Sequence, residues 1–272
     1  MAESSLSIAY YELANRVSRF LGYPNDLIRL SPKGLTKSQE FQRGRLRDVL
    51  TSGLRQFYFP PVVQGMASPT SWSFMHPTGT VVLPVGANKF QLPDDFGGIE
   101  GRVTLAPSQS QVWWPLEVRN ESAIRAMFAA FPETTSRPQM VAVAPLVGTG
   151  ATEGQRFEMV VWPAADQQYE LQFQYYLLPD ALDGSKPYAY GGAAHAETLL
   201  ESCLAIAEQM IDDMPGVHTA KFQERLIASI GMDQKFKAQN LGYNRDNSDR
   251  RGSSNGPWWH YGGSWTFQGT QY

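Results

Sequence analysis

Four histidines, 26 acidic residues and a single cysteine are the side chains from which this 272-residue chain would have to build an active site. His195-Ala196-Glu197 has the H-x-E spacing of zinc deaminases, where the His holds the metal and the Glu moves protons. That site also needs a downstream C-x-x-C, and Cys203 stands alone. A His near a helix start is the simpler reading. Gly148-Thr149-Gly150 with Gly154 lacks the Gly-Lys-Ser/Thr of a phosphate cradle and reads as a loop between strands. Asp94-Asp95 after Pro93 is turn chemistry. Glu208, Asp212 and Asp213 could gather a cation on one helical face, but a solvated acidic face is commoner. His76, His195, His218 and His260 show no H-x-x-x-H spacing, and no G-x-S-x-G occurs. Arg43, Arg45 and Arg47 alternate along a helix, so they diverge instead of lining one nucleic-acid path. No catalytic, cofactor or metal site is expected, and the chain does not read as an enzyme.

The totals agree. The chain is 42% hydrophobic, 18% charged and 12% aromatic, with seven Trp and a net charge of −3. That suits β-structure and adhesive surfaces and gives no global field for nucleic acid. One cysteine excludes a disulfide within the chain and implies a reducing compartment. There is no basic-then-apolar leader and no run long enough to span a bilayer, so a soluble protein made in a cytoplasm is expected.

The elements follow from periodicity. Residues 193–214 place Ala196, Leu199, Leu200, Cys203, Ala207, Met210 and Ile211 on one helical face. Pro215-Gly216 should stop that helix. A second helix over 219–239 carries Phe222, Leu226, Ile227 and Ile230, and so short a turn makes an αα-hairpin. An earlier helix over 4–21 is capped by Ser4 or Ser5, with Leu6, Leu13, Val17 and Phe20 in its buried stripe. Another, over 38–57, carries Leu46, Val49, Leu50, Leu54 and Phe57, with Gly53 on the same face. Glycine costs a helix ~1 kcal/mol relative to Ala, so its presence there implies a close backbone approach. Period-2 alternation then takes over from Val62 to Pro179. Strands are expected at 80–83, 88–92, 99–105, 111–118 and 140–146, and a β-hairpin over 155–178. Asn120 should cap a short helix over 121–130.

The fold class is therefore α+β. A four-helix bundle-like body (residues 1–61 and 187–241) is split by a β-sandwich or small β-barrel domain (62–186) inserted between helices 2 and 3, and an extended tail (242–272) follows. The basic second helix and the acidic third one are complementary. Arg43, Arg45 and Arg47 with Glu197, Glu201 and Glu208 are candidate inter-subunit charge pairs, although the same groups could meet within one subunit. The tail has six Gly in 33 residues from Asn240, and no Val, Ile, Leu or Met after Leu241. It nevertheless carries Trp258, Trp259, Tyr261, Trp265, Phe267 and Tyr272. Burying a Trp of ~200 Å² contributes ~5 kcal/mol, and ordering backbone costs ~1–2 kcal/mol per residue. Three Trp thus offset the ordering of about ten residues, which favours docking of the terminal half in a partner's groove. Folding back on its own β-part is the alternative.

The order and wording of the chain carry a resemblance. Leu13-Ala14-Asn15-Arg16-Val17, then Arg45-Leu46-Arg47-Asp48-Val49-Leu50 leading to Phe57-Tyr58-Phe59-Pro60, open it. Leu92-Pro93-Asp94-Asp95-Phe96 and Phe157-Glu158-Met159-Val160-Val161-Trp162-Pro163 follow, and the Ala-rich acidic helix, the Phe222–Ile230 helix and the aromatic tail complete it. It resembles the head-to-tail connector, or adaptor, proteins of tailed bacteriophages. The resemblance implies a structural virion protein in the neck between head and tail, made in the host cytoplasm. It implies a homo-oligomeric ring of about twelve copies beneath the portal protein. Trp258 to Tyr272 would bind the portal, a tail or nozzle protein would follow, and genomic DNA would pass through the lumen without sequence-specific binding. No cofactor or membrane is implied. A second reading is a non-catalytic binding module of a virion, for a tail protein or for carbohydrate, with Trp72, Trp113 and Trp114 as exposed sugar platforms.

Overall fold

The computed structural model describes residues 3–31, 35–62, 71–106, 115–146 and 155–236, and two short strands at 266–267 and 270–271. The chain forms two compact units, Met1–Lys237 and Ala238–Tyr272. Of the second unit, strands Thr266–Phe267 and Thr270–Gln271 pair antiparallel as a small hairpin. The first unit is α+β.

Helix α1 spans Tyr10–Phe20, and Leu13, Ala14 and Val17 are buried on its inner face. It starts later than Ser4 or Ser5 would dictate. Ala9 forms a bridge with Tyr188, and the Tyr10 N–H donates to the Pro187 carbonyl at 2.7 Å. The preceding segment is thus committed to the strand-like 187–188 stretch, and Leu6, expected in the buried stripe, is 78% exposed. Helix α2 spans Lys37–Tyr58. Thr36 caps it through a reciprocal capping box with Gln39, at 3.3 and 3.0 Å.

Among the described residues, seven strands separate these helices from the rest in chain order: β1 (Thr78–Leu83), β2 (Lys89–Gln91), β3 (Phe96–Leu105), β4 (Glu117–Val118), β5 (Met140–Pro145), β6 (Phe157–Trp162) and β7 (Tyr169–Leu177). One sheet runs β1-β7-β3 and the other β2-β6-β5-β4. The expected β-hairpin over 155–178 is wrong. Strands β6 and β7 lie in different sheets, each flanked on both sides by other strands. Alternation correctly located the buried face of β7, whose burial switches residue by residue. It carries no information on which strand lies alongside. Phe96 of β3 contacts Phe157 of β6 edge-on at 5.6 Å and so joins the two sheets. Helix α3 (Glu121–Ala130) covers the far side of the second sheet, where Ile124, Ala142, Ala144 and Val160 form a small separate core. Asn120 occupies its N-cap position without a side-chain bond.

Helix α4 (Gly192–Asp212) and helix α5 (Val217–Phe236) pack as a hairpin. The stop comes before Pro215-Gly216, because Asp213 already takes a left-handed conformation, φ 54°. Helix α4 touches α1, α2 and α5. It is therefore buried almost all round. Thr198, Ser202 and Ala205 are interior beside the expected Leu199 and Cys203, and Ile211 at its end is exposed. A helix enclosed on several sides takes small and hydroxylic residues where neighbours press closest. The Thr198 and Ser229 hydroxyls share a hydrogen bond at 2.6 Å, and Ser202 Oγ donates to the Gly53 carbonyl at 2.8 Å.

Gly53 does mark a close approach. A Cβ there would lie 2.6 Å from Cys203 Sγ and 2.7 Å from Cys203 Cα. The Tyr58 hydroxyl at the end of α2 accepts from the Tyr190 N–H just before α4, at 3.0 Å. One hydrophobic core continues from these helices into both sheets, from Leu13 and Leu46 to Phe96 and Val161.

The crossing yields a test. Gly53→Ala gains ~1 kcal/mol of helix propensity but overpacks against backbone that cannot move aside, a cost of ~1–3 kcal/mol. We expect a net loss of about 1–2 kcal/mol in denaturant unfolding. Cys203→Ala in the same chain should not rescue it, because the clash with the Cys203 Cα remains.

Candidate functional site

The acidic face of α4 is largely engaged within the chain. Glu208 is buried, and one of its carboxylate oxygens accepts from the His218 and Thr219 N–H groups at 3.0 and 3.2 Å. These are orphan donors of the first turn of α5, so a carboxylate four residues from the end of α4 caps the next helix and meets its positive dipole end. Gly216 leaves room for it, since a Cβ there would collide with the Glu208 carboxylate. Glu201 bonds the His218 ring at Nδ1, at 2.7 Å, and Phe20 of α1 lies edge-on over that ring. Glu197 approaches Arg16 of α1 at 3.9 Å.

The arginines are spread as their spacing demands. Arg43 donates to the Leu30 carbonyl at 3.1 Å. Arg45 lies 5.8 Å from the Phe41 ring centroid. Arg47 sits with Tyr10, Leu50 and Leu54 beside a small surface depression. Helices α2 and α4 do pack together in one subunit, but the contact is the Gly53–Cys203 crossing, not an ion pair among these residues. Trp258, Trp259, Tyr261, Trp265 and Tyr272 lie outside the described residues, and Phe267 is described only as backbone in its short strand.

His195 is a core residue. Its ring packs 5.3 Å from both Trp72 and Phe74 and near Phe57. Burial holds the imidazole below its ordinary pKa, partly opposed by the Asp233 carboxylate. Trp72 is not an exposed sugar platform: it is 1% exposed, stacked on Phe57 at 5.4 Å, and its indole N–H donates to the Phe57 carbonyl at 2.9 Å. Trp113 and Trp114 lie outside the described residues. Asp233 on α5 accepts from the Ser73 N–H and hydroxyl and so caps the short 3-10 turn Ser73–Met75. Sequence reasoning missed this pair, which is 160 residues apart. No local signal marks it beyond an acid on the inner face of α5.

A cleft of about 390 Å³ opens where the end of α2 meets the sheets, lined by Tyr58, Asp94, Asp95, Asp180, Tyr188 and Tyr190. Its carboxylates have partners. Asp94 pairs with Arg156 at 2.9 Å, Asp180 with Lys186, and Asp95 accepts from the Tyr175 hydroxyl at 3.3 Å. Burial pushes the Cys203 thiol up to about 12, far from a thiolate nucleophile at neutral pH. Among the described residues no three His, Cys, Asp or Glu gather to hold a metal ion, and no helix is long and apolar enough to cross a membrane.

A family model described as SU10 adaptor protein matches residues 8–253, most of the chain. No curated protein matches it.

Two outcomes follow from the geometry. Glu208→Ala removes the cap of α5 and should cost about 1–2 kcal/mol in thermal or denaturant unfolding. His195 binds its proton less readily folded than unfolded, and the unfolded group titrates near pH 6.5. Stability should therefore be steady above that value and fall as pH drops through it towards the lowered native pKa. In His195→Leu that acid-side loss should be smaller, as read from unfolding midpoints between about pH 5 and 8.

Proposed function

This chain belongs to the SU10 adaptor protein family, a family of phage head-to-tail adaptors, and on that premise we propose that it forms a ring beneath the portal and joins the DNA-filled head to the tail. The family match over residues 8–253 carries the reading. Helices α1, α2, α4 and α5, which the sequence reading assigns to 1–61 and 187–241, would form a split four-helix body at the ring. The β-part, 62–186, would face outward or towards a tail or nozzle protein. A closed ring requires two unlike, complementary surfaces on each copy, and about twelve copies would match the family's architecture. The tail aromatics Trp258, Trp259, Tyr261, Trp265, Phe267 and Tyr272 would seat in the portal. Genomic DNA would pass through the lumen, and a net charge of −3 suits passage without gripping. Such a part resides in the virion neck and needs no cofactor.

What supports a structural role is how the polar groups are used. Glu208, Asp233, Ser202 and Tyr58 all serve to join elements. The reading as a carbohydrate module loses Trp72 to the core.

Deleting residues 253–272 tests the tail. The shortened chain should keep its unfolding midpoint and lose capture by the purified portal. Undiminished capture would refute the docking role.

A further inference from the structure

Helix α5 buries Phe222, Leu226, Ser229, Ile230 and Asp233 against the rest of the chain. On its opposite face Val217 and Ile227, 64% and 54% exposed, stand with exposed Ala220 and Ala228 among the exposed charges Lys221, Glu224 and Arg225. The apolar strip continues onto the turn before α5 through Met214, 66% exposed, and Ile211. Helix α2 repeats the pattern. Opposite its buried Leu46, Val49, Gly53 and Phe57 it exposes Phe41, 66%, and Phe59 just past its end is 55% exposed. Large exposed aromatics and Met beside Arg are the side chains that anchor protein interfaces.

The charges on α2 and on the turn before α5 are opposite. The outward side of α2 carries Lys37, Arg45 and Arg55 against Glu40 and Asp48. The α4–α5 turn carries exposed Asp212 and Asp213, and no Lys or Arg occurs from Gly191 to Ala220. The acidic turn before α5 therefore repels its own kind and attracts the outward side of α2. Both helices pack on α4, and they do so with the faces opposite to these.

We infer that these are the two halves of one contact between copies of this chain: the outward face of α5 and its preceding turn seats on the outward face of α2 in the next copy. A contact between unlike faces is heterologous and propagates around a ring or along a filament. The inference rests on the ring reading above and names its interface. It moves the acidic partners of Arg45 from Glu197, Glu201 and Glu208 to Asp212 and Asp213.

Reciprocal charge reversal tests it, read by native mass spectrometry of the full chain alone and with the purified portal. Arg45→Glu/Arg55→Glu should lose the oligomer, because acidic then meets acidic. Asp212→Lys/Asp213→Lys should lose it for the converse reason. An equimolar mixture should restore it, since every face then finds an opposite one. Arg55, Asp212 and Asp213 are exposed and Arg45 is half-buried, so the arginine variant should keep the wild-type unfolding midpoint. Asp213→Lys sets a Lys at the left-handed φ of 54°, so that variant should unfold at a lower midpoint yet remain folded under the assay conditions. If both variants assemble like wild type, or if folded variants fail to rescue each other while wild type assembles, this interface is wrong and the ring reading stands. If wild type is monomeric alone and with the portal, both fall.

Discussion

Where α2 crosses α4, Gly53 presents bare backbone and Cys203 fills the space a side chain would need. The hydroxyl of Ser202, next along α4, donates to the Gly53 carbonyl, so the approach is held by a hydrogen bond as well as by packing. Much of the helical part follows from this distance. Because α2 comes so near, α4 is enclosed by α1, α2 and α5, and its interior positions must be small or hydroxylic. Cores are packed too densely to absorb an extra methyl at a backbone contact. The same enclosure renders the cysteine chemically inert.

The second constraint joins helices to sheets. Trp72, Phe57 and Phe74 stack on one another, with His195 against the same cluster. Its indole N–H satisfies the Phe57 carbonyl near the end of α2. Asp233, nearly fully buried on α5, holds the turn that follows Trp72. A buried carboxylate is tolerated only when it is hydrogen-bonded, and here its bonds fix where the chain enters the sheets. Helices that open the chain and helices that close it therefore share one core with the strands between them.

A structural adaptor needs rigidity and surfaces. The ionisable groups described here answer to that need. Glu208 caps a helix, Glu201 positions His218, and Asp94 and Asp180 hold cations at the rim of their own cleft. Apolar side chains on α2 and at the start of α5 stay exposed, with unlike charge beside them.

The sequence by itself determined the α+β class, the positions of most helices and strands, and the close approach at Gly53. Each is a local or one-face property: hydrophobic periodicity, capping residues, or a glycine where a larger side chain would be expected. It also carried the family, through the order of its elements and short phrases spread along the chain. Only the tertiary structure decided that β6 and β7 belong to different sheets, that Trp72 is core and not platform, and that Glu208 serves α5. Alternation shows which face of a strand is buried but not which strand lies beside it. An aromatic or an acid reads alike in sequence whether water or a distant segment meets it. Partners 132 or 160 residues away, such as Tyr190 for Tyr58 and Asp233 for Ser73, are set by how whole elements pack, and no local pattern records that.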